Sequence, residues 1–169
     1  GSGLVDPVTG IAFHDRGAFF RLESDHPNAL EPGKRPTHTL APGMLMRHGR
    51  PWIVHGSMGG EIQPQVFTQV VSAIVDGGAD VATAVAAPRW AAMMRQQHGP
   101  AELTELECRI HDEVPPALEA MGHDVVMREP WASSMGHAHA LEIVRDEDGE
   151  MVSYAAGSDP RSEGSAAAW

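Results

Sequence analysis

A short apolar run, Trp52-Ile53-Val54-His55, passes through Gly56-Ser57-Met58 into two adjacent glycines, Gly59 and Gly60, and an amphipathic helical pattern follows at once. That order requires a strand to turn sharply into a helix. Paired glycines accept backbone angles that other residues avoid, and no side chain covers their N–H groups. A helix start adds N–H groups without internal partners and a partial positive charge. Such a place suits negative charge, either a bound anion or the oxyanion that forms during acyl transfer. The same residues also fit a plain strand-to-helix turn with no chemistry.

The flanking pattern predicts the remaining elements. Pro64 stands where the first turn of a helix tolerates proline. Val66, Phe67, Val70, Val71, Ile74 and Val75 recur at helical spacing, and Gly77-Gly78 ends that helix. A second helix is expected over 79–86, ending before Pro88, and a third over 111–121. Thr37 to Met46 and Trp52 to His55 read as a hairpin turning at Arg47-His48-Gly49-Arg50. His137 to Val144 and Met151 to Ala155 read as another, across Asp146-Glu147-Asp148-Gly149. Short strands are expected at Ile11–Phe13, Ala18–Leu22, Ala101–Cys108 and Asp124–Met127, with loop from Asp25 to Pro36. No repeat or linker interrupts the chain. The expected fold is one α/β unit, mainly antiparallel strands with helices layered on them, over residues 1–161. A Ser/Gly/Ala-rich tail, 162–169, is expected to fray apart from Trp169.

Composition excludes several function classes. The chain of 169 residues is 42% hydrophobic, enough for a real core. Its net charge of −11 argues against a nucleic-acid partner and against an anionic membrane surface. No apolar run approaches the roughly 20 residues that span a bilayer, and no signal-peptide pattern opens the chain. The compartment is not fixed. Cys108 is the single cysteine, so an internal disulfide and a thiol-rich metal site are excluded; it has no sequence-local base and is expected in the core. The opening Gly1-Ser2-Gly3 reads as a cloning scar or native loop, and the missing initiator Met leads us to expect a piece of something longer.

Side-chain clusters add less. His137 and His139 would project from one face of a strand, but two imidazoles fall short of the ligand count of a zinc site. They also fit the solvated face of a strand. Among the acidic residues, Glu105 and Glu107 would share a strand face with Glu102 on the other, and Asp146/Glu147/Asp148 form a turn. All of these read as solvated surface rather than an acid–base pair. No P-loop or dinucleotide-type glycine loop is present, and neither cofactor nor metal is expected.

Four ordered stretches resemble the C-terminal part of γ-glutamyltranspeptidases, which are N-terminal nucleophile hydrolases. They are Lys34-Arg35-Pro36 with Pro42, His55-Gly56-Ser57-Met58-Gly59-Gly60, Ala87-Pro88-Arg89-Trp90, and Gly157-Ser158-Asp159-Pro160-Arg161. The resemblance covers most of this chain and a fraction of the family's precursor. It implies an incomplete αββα sandwich. It also implies an amidohydrolase or acyltransferase that cleaves itself to expose an N-terminal Thr, whose α-amino group serves as its own base. In the family that Thr precedes the point where this chain begins. Thr9, Thr37, Thr39, Thr68, Thr83 and Thr104 are all internal. The resemblance therefore makes this chain the C-terminal portion of a small subunit, inactive alone. Its partners would be the large subunit and the rest of the small subunit, and its substrate a small-molecule amide.

The resemblance also assigns residues. Gly59 and Gly60 match the oxyanion-hole glycines, and Ser57 the motif serine that supports the turn. His38 and Thr39 stand where the family has two serines that hold the substrate's α-carboxylate; His38 departs from that pattern. Asp15-Arg16-Gly17-Ala18-Phe19 replaces a run that grips an α-amine, with Phe19 where the carboxylate would be. A phenyl ring does not offset an ammonium charge, whereas Arg16 suits a substrate carboxylate. The family resemblance implies γ-glutamyl or glutaryl-like acyl groups and glutathione-type substrates. This pattern resembles the divergent branch that includes glutaryl-cephalosporin-type acylases, and it implies an acyl group that is glutaryl-like or otherwise lacks the α-amine. The competing role for Arg16 is a structural ion pair with Asp15, Glu23 or Asp25, and for His38 a partly buried polar residue.

Two further readings stay open from the sequence. One is a non-catalytic ligand- or metal-binding module on the same fold, with His137 and His139 among its ligands. The other is a stable proteolytic piece whose uncovered apolar sheet face makes it self-associate.

Overall fold

The computed structural model of the chain describes residues 1–94 and 102–167. It divides into two compact units, Gly1–Thr39 and Leu40–Trp169.

The first unit is nearly all loop. Isolated bridges join Val5 to Ala12 and Arg21 to Ala29, and Arg16–Phe19 forms one 3-10 turn. The strands expected at Ile11–Phe13 and Ala18–Leu22 are therefore absent as ladders. Pro7, Pro27, Pro32 and Pro36 withhold amide donors along the segment, and a short two-stranded pairing has little stability of its own. Ala29 is its one buried apolar residue.

The second unit opens with the hairpin β1 (Gly43–Arg47) and β2 (Arg50–Met58). The turn residues His48 and Gly49 have φ of 52° and 75°, the left-handed pair that a two-residue hairpin requires. β1 begins at Gly43 rather than Thr37 because Pro42, with no N–H, precedes the ladder. β2 runs longer than its apolar residues suggest because it is paired on both sides. Its partner on the other side is β6 (His137–Arg145), which pairs in turn with β7 (Met151–Ser158), giving an antiparallel sheet in the order β1-β2-β6-β7. Asp146 closes the second hairpin by accepting the N–H groups of Asp148 and Glu150.

Between β2 and β6 lie α1 (Gln63–Val75), α2 (Val81–Ala86), β3 (Trp90–Met94), β4 (Glu102–Glu107), α3 (Val114–Ala120) and β5 (Asp124–Arg128). Pro64 occupies the first turn of α1, and Gln63, Val66, Val70 and Ile74 are its buried stripe. Asp80 caps α2 by accepting the Thr83 N–H at 2.9 Å, which moves the helix start to Val81. Val66, Val70, Ile74, Val81, Ala84 and Val85 join Ile53, Ala138 and Ala140 of the sheet in one core cluster. Helices thus layer on one face of an antiparallel sheet, as the mixed α/β reading expects. The register places Met44, Val54, Leu141 and Ala156 side by side on the opposite face, continued by Met58 and Tyr154. Met44, Met58 and Tyr154 are each more than half exposed there.

β3, β4 and β5 form a second sheet, with β3 antiparallel and β5 parallel to β4. β3 was not expected. Its Trp-Ala-Ala-Met-Met run lacks both β-branched residues and alternation, and pairing with β4 makes it a strand. Ala101, at the start of the strand expected over Ala101–Cys108, the Glu102 side chain and Trp169 lie outside what is described. Cys108 is exposed rather than in the core, because it follows the last residue of β4, where the chain leaves the sheet.

Candidate functional site

At the end of β2 the chain reverses through Gly59 (φ 149°) and Gly60 (φ 57°) into a 3-10 turn, Gly60–Ile62, that runs into α1. Two consecutive positive φ values explain why both residues are glycine. A Cβ on Gly59 would also lie 2.9 Å from Ile62 Cγ1. The carbonyls of this turn are used internally. Gly59 O accepts the Ile62 N–H at 3.1 Å, and Gly60 O accepts the Gln63 backbone N–H and its Nε2 at 3.1 Å. The N–H groups of Gly59 and Gly60 have no acceptor among the described residues. Gly60 is exposed and Gly59 half-buried. Ser57 Oγ donates to the Met58 carbonyl at 2.6 Å, holding the peptide that precedes the turn.

Arg16, His38 and Thr39 belong to the first unit. Arg16 forms no ion pair with Asp15, Glu23 or Asp25 among the described residues; its guanidinium stands 5.7 Å from the Phe19 ring centre. The Arg16 N–H donates to His14 Nδ1 at 3.1 Å, and the His14 ring meets the His38 ring edge-on at 6.3 Å. Arg16 and His38 are thereby brought to one neighbourhood through His14. His38 is exposed and Thr39 half-buried. Ser57, Gly59 and Gly60 are brought together in the second unit.

Glu105 and Glu107 correct the sequence reading. They share a face of β4, but that face is buried, at 5% and 0% exposure. Glu105 is paired with Arg128. Glu107 accepts Arg161 Nε at 2.6 Å, Arg161 Nη2 at 2.7 Å and Arg109 Nη2 at 2.7 Å. Asp159 holds Arg89 at 2.8 Å and Arg161 at 3.0 Å. Arg89, Asp159 and Arg161 come from the motifs Ala87–Trp90 and Gly157–Arg161, and Glu107 joins them. Burial pushes the Asp159 carboxyl pKa up. The N–H groups of Ala138 and Arg161 and the guanidiniums of Arg89 and Arg161 outweigh it and hold that pKa below the usual aspartate value. Burial, helped by the charge of Arg161, lowers the Arg89 pKa. A signal for this network was available: an arginine that is buried needs a carboxylate partner, and Asp159 stands beside Arg161 in the same motif.

His137 and His139 do not gather further ligands. His137 Nε2 lies 2.9 Å from Ser133 Oγ, and His139 is exposed. Among the described residues no group of three or more His, Cys, Asp or Glu is arranged to hold a metal ion.

Comparison with known proteins identifies the family. The family model described as gamma-glutamyltranspeptidase matches residues 1–169. A glutathione hydrolase-like proenzyme of Bacillus subtilis is 37% identical over 98% of this chain and 30% of its own length. An oxamate amidohydrolase proenzyme of Klebsiella pneumoniae is 37% identical over 100% of this chain and 31% of its own length. The crystal structure of a cephalosporin acylase from Bacillus halodurans superimposes with a TM-score of 0.77, at 34% identity, over 95% of this chain and 28% of that one. The chain thus spans about a third of the length of these relatives. With the family model matched from end to end and the glycine turn and both arginine motifs in place, the chain belongs to the γ-glutamyltranspeptidase family.

Proposed function

We propose that this chain is the C-terminal part of the small subunit of a γ-glutamyltranspeptidase-like amidohydrolase or acyltransferase. The observation that carries the proposal is the pair of N–H groups, on Gly59 and Gly60 at the end of β2, without an acceptor among the described residues. They would receive the oxygen of an amide carbonyl as a threonine hydroxyl, supplied by a segment outside this chain, adds to it. Collapse of the tetrahedral species expels the amine and leaves an acyl-enzyme, which passes its acyl group to water or an amine.

Arg16, with no carboxylate of its own among the described residues, would hold a substrate carboxylate, and His38 and Thr39 would face the acyl chain. The relative named for oxamate, whose acyl group carries no amine, supports an acyl group without the γ-glutamyl α-amine. The exposed apolar face of the four-stranded sheet supports a second layer supplied by the rest of the small subunit and a large subunit. Without that layer, the chain is expected to be inactive and to self-associate.

The test uses the longer polypeptide that carries this chain. It should cleave itself and form a covalent adduct with an amide-mimicking inhibitor. Gly59→Ala or Gly60→Ala should lower kcat by about 10²-fold. A polypeptide that neither cleaves itself nor forms the adduct refutes the reading.

A further inference from the structure

We propose that Gly136, clamped by Arg89 and Asp159, is a positioning residue that sets the aim of the Gly59 N–H. The inference rests on the oxyanion reading of Gly59 and Gly60. Gly136 follows the 3-10 turn Ser133–Met135 and precedes β6, with φ of 75°. A Cβ on it would lie 2.7 Å from Met58 O, 3.1 Å from Ser57 Oγ and 3.2 Å from Val66 Cγ2. In the other direction, a Cβ on Gly59 would lie 3.5 Å from Gly136 Cα. The bare Cα of Gly136 is therefore the surface on which the Met58–Gly59 peptide rests.

That peptide carries the Met58 carbonyl at one end and the Gly59 N–H at the other. A peptide group is planar and rigid, so a push on the Met58 oxygen turns the Gly59 N–H with it. Ser57 Oγ holds the same oxygen from within β2. Gly136 is itself immobilised. Arg89 Nη1 donates to Met135 O at 3.1 Å and Gly136 O at 3.0 Å. Asp159 Oδ2 pairs with Arg89 Nη2 and also accepts the Ala138 N–H at 2.7 Å. Arg89 and Asp159 are each 1% exposed, so the clamp has little room to move. An oxyanion donor acts through its geometry in the transition state and not in the bound substrate, so its misalignment reads out in kcat rather than KM.

The experiment compares Gly136→Ala with Gly78→Ala in the full enzyme. Gly78 has φ of 68° and nothing within 4 Å of its Cβ position, so it tests a side chain at positive φ without the contact. Gly136 also has ψ of 164°, a combination only glycine adopts readily, so Gly136→Ala should lose more thermal stability than Gly78→Ala, and kinetics are compared at a temperature where both are folded. Gly136→Ala should lower kcat about tenfold or more with KM unchanged, and Gly78→Ala should keep both. A folded Gly136→Ala enzyme with kcat within about twofold of the parent overturns the proposal. Where Gly136→Ala blocks self-cleavage, the same comparison is made on subunits produced as separate chains. If the parent enzyme turns over no amide, the oxyanion reading fails by itself. The positioning role is then read from a crystal structure of Gly136→Ala. A Met58–Gly59 peptide turned by about 10–20° supports it, and an unmoved peptide overturns it.

Discussion

Glu107 is the residue on which the second unit's stability should depend most sharply. Its side chain has 0% exposure and faces two guanidiniums. With Arg89, Asp159, Arg161 and Arg109 it forms a network of three cations and two anions. Glu107→Gln keeps the shape and one acceptor oxygen, but the second oxygen becomes a donor that faces guanidinium N–H groups. The network then holds three cations against one anion. Removing one partner of a buried pair costs about 3–5 kcal/mol. The lower end applies here, because Arg161 keeps Asp159 and the Ala87 carbonyl at 2.8 Å. The expected loss is about 3 kcal/mol, a large share of the 5–15 kcal/mol that typically holds a domain. Arg161→Met should cost about 4 kcal/mol, since it strips a partner from both carboxylates. The double variant should fall about 2 kcal/mol short of the sum, because neither change then leaves the other's charge stranded.

The assay is equilibrium urea unfolding followed by tryptophan fluorescence. Trp131 reports on the network directly, with Arg109 Cζ 3.4 Å and Arg161 Cζ 5.5 Å from its ring centre. A loss below about 1 kcal/mol for Glu107→Gln would refute the reasoning. So would single-variant losses that add within about 0.5 kcal/mol, because the charges would then not act as a unit.

Other perturbations test the same electrostatics. The Asp159 pKa lies below its unfolded value, so its contribution is full above about pH 4 and lost as pH falls through the folded value. Stability curves against pH should show Asp159→Asn less stable than the parent near neutrality, with the gap narrowing in acid. His55 is the opposite case. Burial lowers its pKa, the ring packs against Gly43, and it meets Phe67 at 4.7 Å. The unfolded chain therefore takes up a proton first as pH drops below about 6.5, and the native state loses stability there. His55→Phe should flatten the curve between about pH 6.5 and 5, and an unchanged slope would show that His55 does not titrate on unfolding. Lys34→Ala, which removes the exposed pair with Glu31, should change the unfolding free energy by less than about 1 kcal/mol.

What the sequence disclosed follows from the range of the interactions involved. The glycine turn, the α1 stripe and the Asp146–Gly149 hairpin were legible because each is set by residues a few positions apart. The first unit was misread for the complementary reason. Ile11–Phe13 and Ala18–Leu22 have strand-like composition, but each meets its partner segment at a single bridge, Val5 with Ala12 and Arg21 with Ala29, and no ladder extends from it. β3 has poor composition and is a strand because β4 supplies the partner. The same logic separates the parts of the site. Gly59 and Gly60 announce a turn by themselves. Glu107 reads as a surface glutamate until Arg161, 54 residues away, is known to reach it. Gly136 reads as an ordinary loop glycine until Met58 is known to lie against it. The residues that shape the turn from a distance are the least visible in the sequence. Arg89 and Asp159 are the exception, because their motif strings are recognisable even though their contacts are not. Two of the family motifs in this chain, Ala87–Trp90 and Gly157–Arg161, thus converge on one buried ion network, and Arg89 of that network bonds the carbonyl of Gly136, the residue that lies against the peptide preceding the glycine turn.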